Sequence, residues 1–97
     1  MKTLTFDPLV QSDLRKTKSY YERQRRGLGK DFMTCVLNQF ERIALYPLAA
    51  PTVEKNVRKI GIEKFPFEIY YLLNDQEIFI FAVVHVRRHQ DFWRRRL

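Results

Sequence analysis

The sequence has little cysteine and no long apolar run. Its one cysteine, Cys35, cannot form an internal disulfide or a cysteine-rich metal site, so a reducing compartment is expected. The segment that begins at Met1 lacks the apolar stretch of about 7 to 15 residues that defines a secretory signal. No run approaches the roughly 18 apolar residues that a membrane span needs. We therefore expect a cytoplasmic protein that does not insert into a membrane.

Motifs for common enzyme chemistries are also missing. The chain has no glycine-rich phosphate loop, no His-x-x-x-His helix and no serine nucleophile elbow. His85 and His89 offer two metal ligands, whereas a catalytic zinc normally takes three from the protein. Glu63 and Glu68 have no spacing that marks an acid–base pair, and we interpret them as surface charges. The sequence thus predicts neither a metal nor a cofactor.

What the chain has in excess is positive charge. Its formal net charge is +7 and its pI is about 9.9. Residues 86–97 alone contain five arginines against one aspartate. A concentrated basic segment favours nucleic acid, the ribosome or an acidic protein as partner over a small neutral ligand. A solvated basic tail is the alternative interpretation.

The length predicts a single domain over residues 1–97, and its first half is helical. Asp7 followed by Pro8 is a typical helix start, because the carboxylate caps an N–H and proline lacks one. We predict a first helix over residues 9–26, a turn at Gly27-Leu28-Gly29, and a second helix over residues 30–46. Residues 47–56 are predicted to be a loop.

The second half reads as strands. Strands are predicted over residues 57–62, 67–73 and 76–85, and the short links between them require antiparallel neighbours. A short strand at Leu4 and Phe6 precedes the helices. Alternation in the last strand assigns four side chains to one face and three to the other. They are Ile78, Ile80, Ala82 and Val84, and then Phe79, Phe81 and Val83.

These elements predict an α+β fold: an N-terminal strand, an antiparallel helix hairpin, then three antiparallel strands. The hairpin is expected to pack on one face of a four-stranded sheet. The other face would then expose Tyr70 or Tyr71 together with Phe79 or Phe81. Such an aromatic patch is typical of a site that another polypeptide covers. Dimerisation of the chain itself is the competing interpretation.

The last strand delivers a basic, aromatic cluster to one edge of this sheet. The cluster contains His85, Arg87, Arg88, His89 and Trp93, and Arg58 and Lys59 lie on the neighbouring strand. Phosphoryl transfer in RNA needs cations, a proton carrier and a stacking surface, and these residue types supply all three. The structural alternative is equally physical: His85 is hydrogen-bonded at the strand end, and Trp93 folds back into the core.

Three motifs carry a resemblance to a known family. They are Tyr21-Glu22-Arg23 through Phe32, then Phe65-Pro66-Phe67-Glu68-Ile69-Tyr70-Tyr71, and residues 78–93 with the closing Phe92-Trp93. Together with the order of elements, they resemble the RelE/ParE superfamily of bacterial type II toxin–antitoxin systems, the plasmid stabilisation type. The resemblance covers essentially the whole chain and implies a single toxin domain with that fold.

The resemblance implies different activities in its two branches. RelE-like toxins cleave messenger RNA on the ribosome with basic residues and a tyrosine, whereas ParE-like toxins poison DNA gyrase without that set. Here Glu68 stands where the RNase branch has an arginine, and the tyrosine position falls on Trp93 or Arg94. The ParE-like branch is therefore favoured. The alternative is an mRNA interferase, in which the catalytic residues would be His85, Arg88 and Trp93. An inactive protein-binding member is a further alternative.

The resemblance also implies partners. They are a cognate antitoxin and DNA gyrase, or the ribosome and mRNA in the alternative, and a homodimer or a heterotetramer with the antitoxin stays open. The residues expected to bind the target or the antitoxin are basic or aromatic. They are Arg58, Lys59, Arg87, Arg88, Trp93, Arg94, Arg95, Tyr70, Tyr71, Phe79 and Phe81.

Overall fold

A computed structural model of the chain describes residues 2–88 and 92–97. Two helices and five strands are joined by short connections, and one turn of 3-10 helix lies near the C-terminus. The elements are β1 (Thr3–Phe6), α1 (Pro8–Gln24), α2 (Leu28–Leu45), β2 (Thr52–Glu54), β3 (Val57–Gly61), β4 (Phe67–Leu73), β5 (Glu77–His85) and the 3-10 helix (Phe92–Arg96).

The sheet has the order β1-β5-β4-β3-β2, in which β1 pairs parallel to β5 and every other pair is antiparallel. The predicted α+β fold is confirmed, with five strands instead of four. The extra strand, β2, lies in the segment predicted to be a loop. Its three residues are all exposed, and they pair with β3 across a turn where Lys55 has a φ of 48°. A strand this short, with no buried face, leaves no apolar alternation to recognise.

The helix hairpin forms where the sequence predicts it, with a tighter turn. The Asp7 carboxylate accepts the N–H of Leu9 at 2.8 Å, which confirms the predicted cap of α1. The turn uses one left-handed residue, Gly27 at φ 90°, and α2 already begins at Leu28. Gly29 is therefore helical. Its lack of a side chain serves close packing, because a Cβ there would lie 2.6 Å from the backbone oxygen of Lys18.

A β-bulge in β5 corrects the predicted assignment of faces. Tyr70 pairs with Ala82 while Tyr71 pairs with Ile80, so Phe81 is an extra residue in β5. The alternation reverses at this point. Val83 consequently packs with Ile80 on the helix side of the sheet. Ala82 and Val84, which were predicted on that side, lie on the opposite face with Phe79 and Phe81.

The sheet separates two apolar cores. The larger core lies beneath the hairpin and includes Val36, Ile69 and Tyr71. The smaller core lies on the opposite side of the sheet, which we call the second face, and it includes Tyr70, Phe81 and Trp93. The prediction of an exposed aromatic patch is thus wrong for Tyr70, Tyr71 and Phe81, whose exposed fractions are 6%, 0% and 0%. The chain's own C-terminal segment covers part of the second face.

Candidate functional site

Trp93 fixes the C-terminal segment to the second face. Its ring stacks on Tyr70 with centroids 5.7 Å apart and an interplanar angle of 19°, and it also contacts Phe81 at 6.3 Å. Burial raises the pKa of Tyr70, and the nearby Glu68 carboxylate adds to the rise. The core-filling alternative for Trp93 is therefore the one that the structure adopts. The indole stays closed to a nucleic-acid base unless the segment moves.

His85 is the last residue of β5, and the backbone of the two arginines that follow it holds it in place. Its Nδ1 accepts the backbone N–H of Arg87 at 3.0 Å, and its carbonyl accepts the N–H of Arg88 at 2.9 Å. The imidazole also lies edge-on to Phe67, with centroids 5.2 Å apart. These contacts match the structural alternative for this residue. The second predicted histidine, His89, lies outside the described residues.

The Phe92 ring lies between two arginines, one just after β5 and one in the C-terminal 3-10 helix. The guanidinium carbon of Arg88 lies 4.5 Å from the Phe92 ring centroid, and that of Arg96 lies 5.1 Å from it. Arg96 is also bound to Asp13 of α1 at 2.6 Å and donates to the Phe81 carbonyl at 3.3 Å. Arg96 is therefore a structural clamp between α1 and the sheet, and Arg88 lies beside it with an exposed side chain.

The accessible charge of this region comes from four arginines, one of which is Arg88. Arg87 and Arg95 are exposed, and within the described residues neither guanidinium forms an ion pair. Arg94 binds Glu54 of β2 at 3.1 Å and also lies over the Trp93 ring. We call Arg87, Arg88, Arg94 and Arg95 the C-terminal basic edge. It is the candidate functional site, and its geometry suits the binding of carboxylates or phosphates.

An ion pair occupies the second face next to this edge. Lys59 Nζ of β3 lies 3.4 Å from a carboxylate oxygen of Glu68 on β4, and both side chains are partly exposed. Glu68, predicted to be a surface charge, is therefore paired with Lys59. The pair reduces the positive potential where the resemblance places basic residues of the RNase branch.

Arg58 lies away from the basic edge. Its guanidinium donates to the carbonyls of Leu48 at 3.3 Å and Ala50 at 2.6 Å, on the hairpin side of the sheet. The Tyr71 hydroxyl donates to the Pro47 carbonyl of the same loop at 2.7 Å. Burial raises the pKa of Tyr71, and the Arg58 charge opposes the rise. Both residues, expected to bind a partner, hold the loop that leads into β2.

The cleft between α1 and the end of β5 includes a cation that sequence reasoning missed. It measures about 240 Å³, and Lys16 of α1 lines it together with His85, Arg88 and Phe92. The signal for Lys16 was present, because basic residues crowd the exposed side of the first helix. Nothing in the sequence places that side of the helix beside the C-terminus.

The described part of the chain was also searched for a metal site and a membrane-spanning helix. Residues 2–88 and 92–97 contain no group of three or more His, Cys, Asp or Glu side chains arranged to hold a metal. Among these same residues, no helix combines the length and the apolar character that crossing a membrane requires. Cys35 is buried and unbridged.

Comparison with known proteins identifies the family. The sequence matches the family described as ParE toxin of type II toxin-antitoxin system, parDE, over residues 4–90. No curated protein matches the chain. A solved structure, the chromosomal ParDE TA (toxin–antitoxin) system from P. aeruginosa, is similar in fold. It has a TM-score of 0.65 at 18% identity, and the match covers 88% of this chain and 96% of that chain. The chain belongs to the ParE toxin family.

Proposed function

We propose that this ParE-family toxin arrests growth by binding and inhibiting DNA gyrase, and that a cognate antitoxin neutralises it. The family match shows that the chain is a toxin of the ParDE type of system. The proposal adds its target, DNA gyrase, and its mode of action, inhibition by binding. The toxin acts as a binding protein without a catalytic step of its own.

The observation that carries this proposal is the ion pair between Lys59 and Glu68, whose atoms lie 3.4 Å apart. An RNase must stabilise negative charge that develops on a phosphate, and it does so with cations aimed at that phosphate. A carboxylate on the second face repels the phosphate, and it also neutralises the nearby lysine. This arrangement favours a surface that docks onto a protein over one that cleaves RNA.

Two further contacts support a non-catalytic role. Trp93 is 6% exposed and stacked on Tyr70, so its ring is not available to stack on a base. His85 Nδ1 already accepts the N–H of Arg87, so only Nε2 of the ring is left for contact with a substrate. Arg88 remains accessible beside Phe92. An exposed arginine attracts an anion, but it does not supply proton transfer.

The docking surface is the C-terminal basic edge. Arg87 and Arg95 are exposed there without an ion pair to any described residue, so their charge is available to a partner. Arginine binds carboxylates in two parallel hydrogen bonds, which gives orientation as well as attraction. An acidic surface on gyrase and acidic side chains of the antitoxin would compete for these arginines. Competition of this kind explains neutralisation without a further site.

The partly exposed rim of the second face extends this surface. Phe79 and Leu72 are only partly buried against the smaller core, and they lie beside residues that Trp93 covers. An antitoxin segment with acidic and apolar side chains would cover both the rim and the basic edge. Tyr70 and Phe81 are expected to support this contact from beneath instead of forming it.

The experiment compares the purified protein in two assays run side by side. The first follows supercoiling of a relaxed plasmid by gyrase, and the second follows ribosome-dependent cleavage of a defined mRNA. We expect inhibition of supercoiling and intact mRNA. A double variant, Arg87→Glu with Arg95→Glu, should lose at least about tenfold in inhibition, because charged contacts of this kind are worth on the order of 1 to 3 kcal/mol.

A matched variant controls for the change in net charge. Arg42→Glu with Lys55→Glu makes the same change at exposed positions outside the basic edge, on α2 and on the turn before β3. It should inhibit gyrase like the wild type. Equal loss in both double variants would show that inhibition depends on overall charge instead of on the edge. Cleavage of mRNA by the wild type with supercoiling unchanged would overturn the proposed target.

A further inference from the structure

The first helix carries a second basic surface that the proposed function does not use. Residues 8–26 contain six lysines and arginines and two carboxylates. All six cations are exposed. Within the described part of the chain, the ion pairs are Lys59–Glu68, Arg94–Glu54 and Arg96–Asp13, and none involves a cation of α1. The charge on α1 is therefore not compensated by a direct partner.

Both carboxylates of this segment are committed to other groups. Asp13 binds Arg96 of the C-terminal helix at 2.6 Å. Glu22 accepts the backbone N–H groups of Gly27 and Gly29, both at 3.0 Å, and so holds the turn between the helices. Lys18 and Arg26 are near enough to Glu22 to lower its pKa slightly further. Neither Arg15 nor Arg23 forms an ion pair with any described residue.

The positions of these cations suit a phosphate backbone. Arg15, Ser19 and Arg23 are spaced by four residues, so they form one row along the exposed side of α1. At 1.5 Å per residue, Arg15 and Arg23 are about 12 Å apart along the helix axis. The major groove of B-DNA is about 12 Å wide, so a helix lying across the mouth of the groove would bring one arginine of the row to each flanking phosphate strand.

We propose that the exposed side of α1 binds the phosphate backbone of duplex DNA, independently of base sequence. This DNA contact is separate from the proposed inhibition of gyrase, because a toxin that docks on a protein target needs no DNA contact of its own. It also concerns a different surface, since Arg15 and Arg23 lie outside the C-terminal basic edge. The ligand is recognised by its charge and groove geometry alone.

The composition of the surface favours duplex DNA over other polyanions. The exposed apolar side chains of α1, Leu9 and Tyr20, are about 16 Å apart along the axis, so they do not form the apolar centre typical of a protein interface. Single strands are held by rows of aromatic side chains, and the row through Arg15 and Arg23 contains none. The major groove of duplex RNA is narrower, so its phosphate strands do not match the spacing of Arg15 and Arg23.

Fluorescence anisotropy tests the proposal with no gyrase present. The probe is a labelled 30-base-pair DNA duplex of arbitrary sequence, titrated with the full chain at salt concentrations from about 50 to 200 mM. We expect binding that weakens steeply with salt. Arg15→Gln with Arg23→Gln should bind at least tenfold more weakly at the lowest salt, and its slope of log K against log salt should fall by about 2.

Two matched variants assign the effect to α1. Arg42→Gln with Lys55→Gln removes the same charge elsewhere and should keep the wild-type slope. Arg15→Lys with Arg23→Lys keeps the charge on α1 and should also keep the wild-type slope. The proposal is overturned if the duplex is not bound, if the α1 and control variants lose affinity equally, or if single strands or duplex RNA bind as tightly. Because gyrase is absent, failure here leaves the proposed target untouched.

Discussion

The indole of Trp93 lies almost parallel to the phenol ring of Tyr70, at an interplanar angle of 19° and a centroid separation of 5.7 Å. This stack joins the last residues of the chain to a strand in the middle of the sheet. It turns an aromatic side chain that would suit RNA binding into part of the core. The C-terminal basic edge is consequently displayed from a fixed base, because Arg94 and Arg95 follow Trp93 directly.

The stack predicts that Trp93 contributes strongly to stability. Replacing Trp93 by Ala should lower the free energy of unfolding by about 3 to 5 kcal/mol, the range for large aromatic side chains in cores. Urea titration followed by circular dichroism measures the change. In the wild type, Trp93 is the sole tryptophan, so its fluorescence reports whether the C-terminal segment stays docked. Arg95→Ala, at an exposed neighbour, should leave stability within about 0.5 kcal/mol.

Gly29 and Gly27 should respond differently to the same substitution. A Cβ at Gly29 would lie 2.6 Å from the backbone oxygen of Lys18, so Gly29→Ala should force the helices apart and cost about 1 to 3 kcal/mol. Gly27 has nothing within 4 Å but has a φ of 90°, so Gly27→Ala should cost about 1 kcal/mol through backbone strain. Gly27→Asn should recover part of that loss. Equal costs at both glycines would contradict the close helix contact.

Glu22 predicts a pH dependence of stability. Backbone N–H groups of Gly27 and Gly29 hold the pKa of its carboxyl below the usual value. A lowered folded pKa means that the stabilisation is present above the unfolded pKa of about 4.3 and is lost as pH falls through the folded value. Glu22→Gln should therefore melt below the wild type at pH 7, and the difference in melting temperature should shrink as the pH falls below about 4.3. A constant difference across this range would show that charge is not the cause.

The ion pair between Lys59 and Glu68 should matter little for folding. Both side chains are partly exposed, and pairs of this kind are usually worth under about 1 kcal/mol. A double-mutant cycle with Lys59→Ala and Glu68→Ala should give a coupling energy in that range. Glu68→Ala should not create RNA cleavage, because His85 and Trp93 remain engaged in their own contacts. Ribosome-dependent cleavage by this variant would show that the carboxylate alone suppresses an RNase.

The elements that the sequence predicted well are those specified by local signals. Asp7 and Pro8 mark the start of α1 because capping depends on adjacent residues. The second helix and the short link between the predicted strands at 67–73 and 76–85 likewise depend on near neighbours. The resemblance to the superfamily was confirmed by the family match over residues 4–90. Local chemistry and recognised motifs were enough for the order of elements.

The features that were missed depend on contacts between distant residues. The bulge at Phe81 changes which side chains share a face, and only pairing with Tyr70 and Tyr71 reveals it. Arg58 looked like part of a basic surface, yet the carbonyls of Leu48 and Ala50 bind it on the opposite side of the sheet. Burial of aromatic side chains by the C-terminal helix could not be predicted from alternation within the strands.

The most direct measurement titrates purified gyrase with the wild-type toxin at fixed plasmid concentration. We predict that supercoiling activity falls as toxin is added and reaches its minimum near one toxin per binding site on gyrase. A gyrase-coated sensor should bind the wild type and bind Arg87→Glu with Arg95→Glu at least about tenfold more weakly. Gyrase would not be the target if supercoiling continued unchanged at a large excess of correctly folded toxin and the sensor bound none of it.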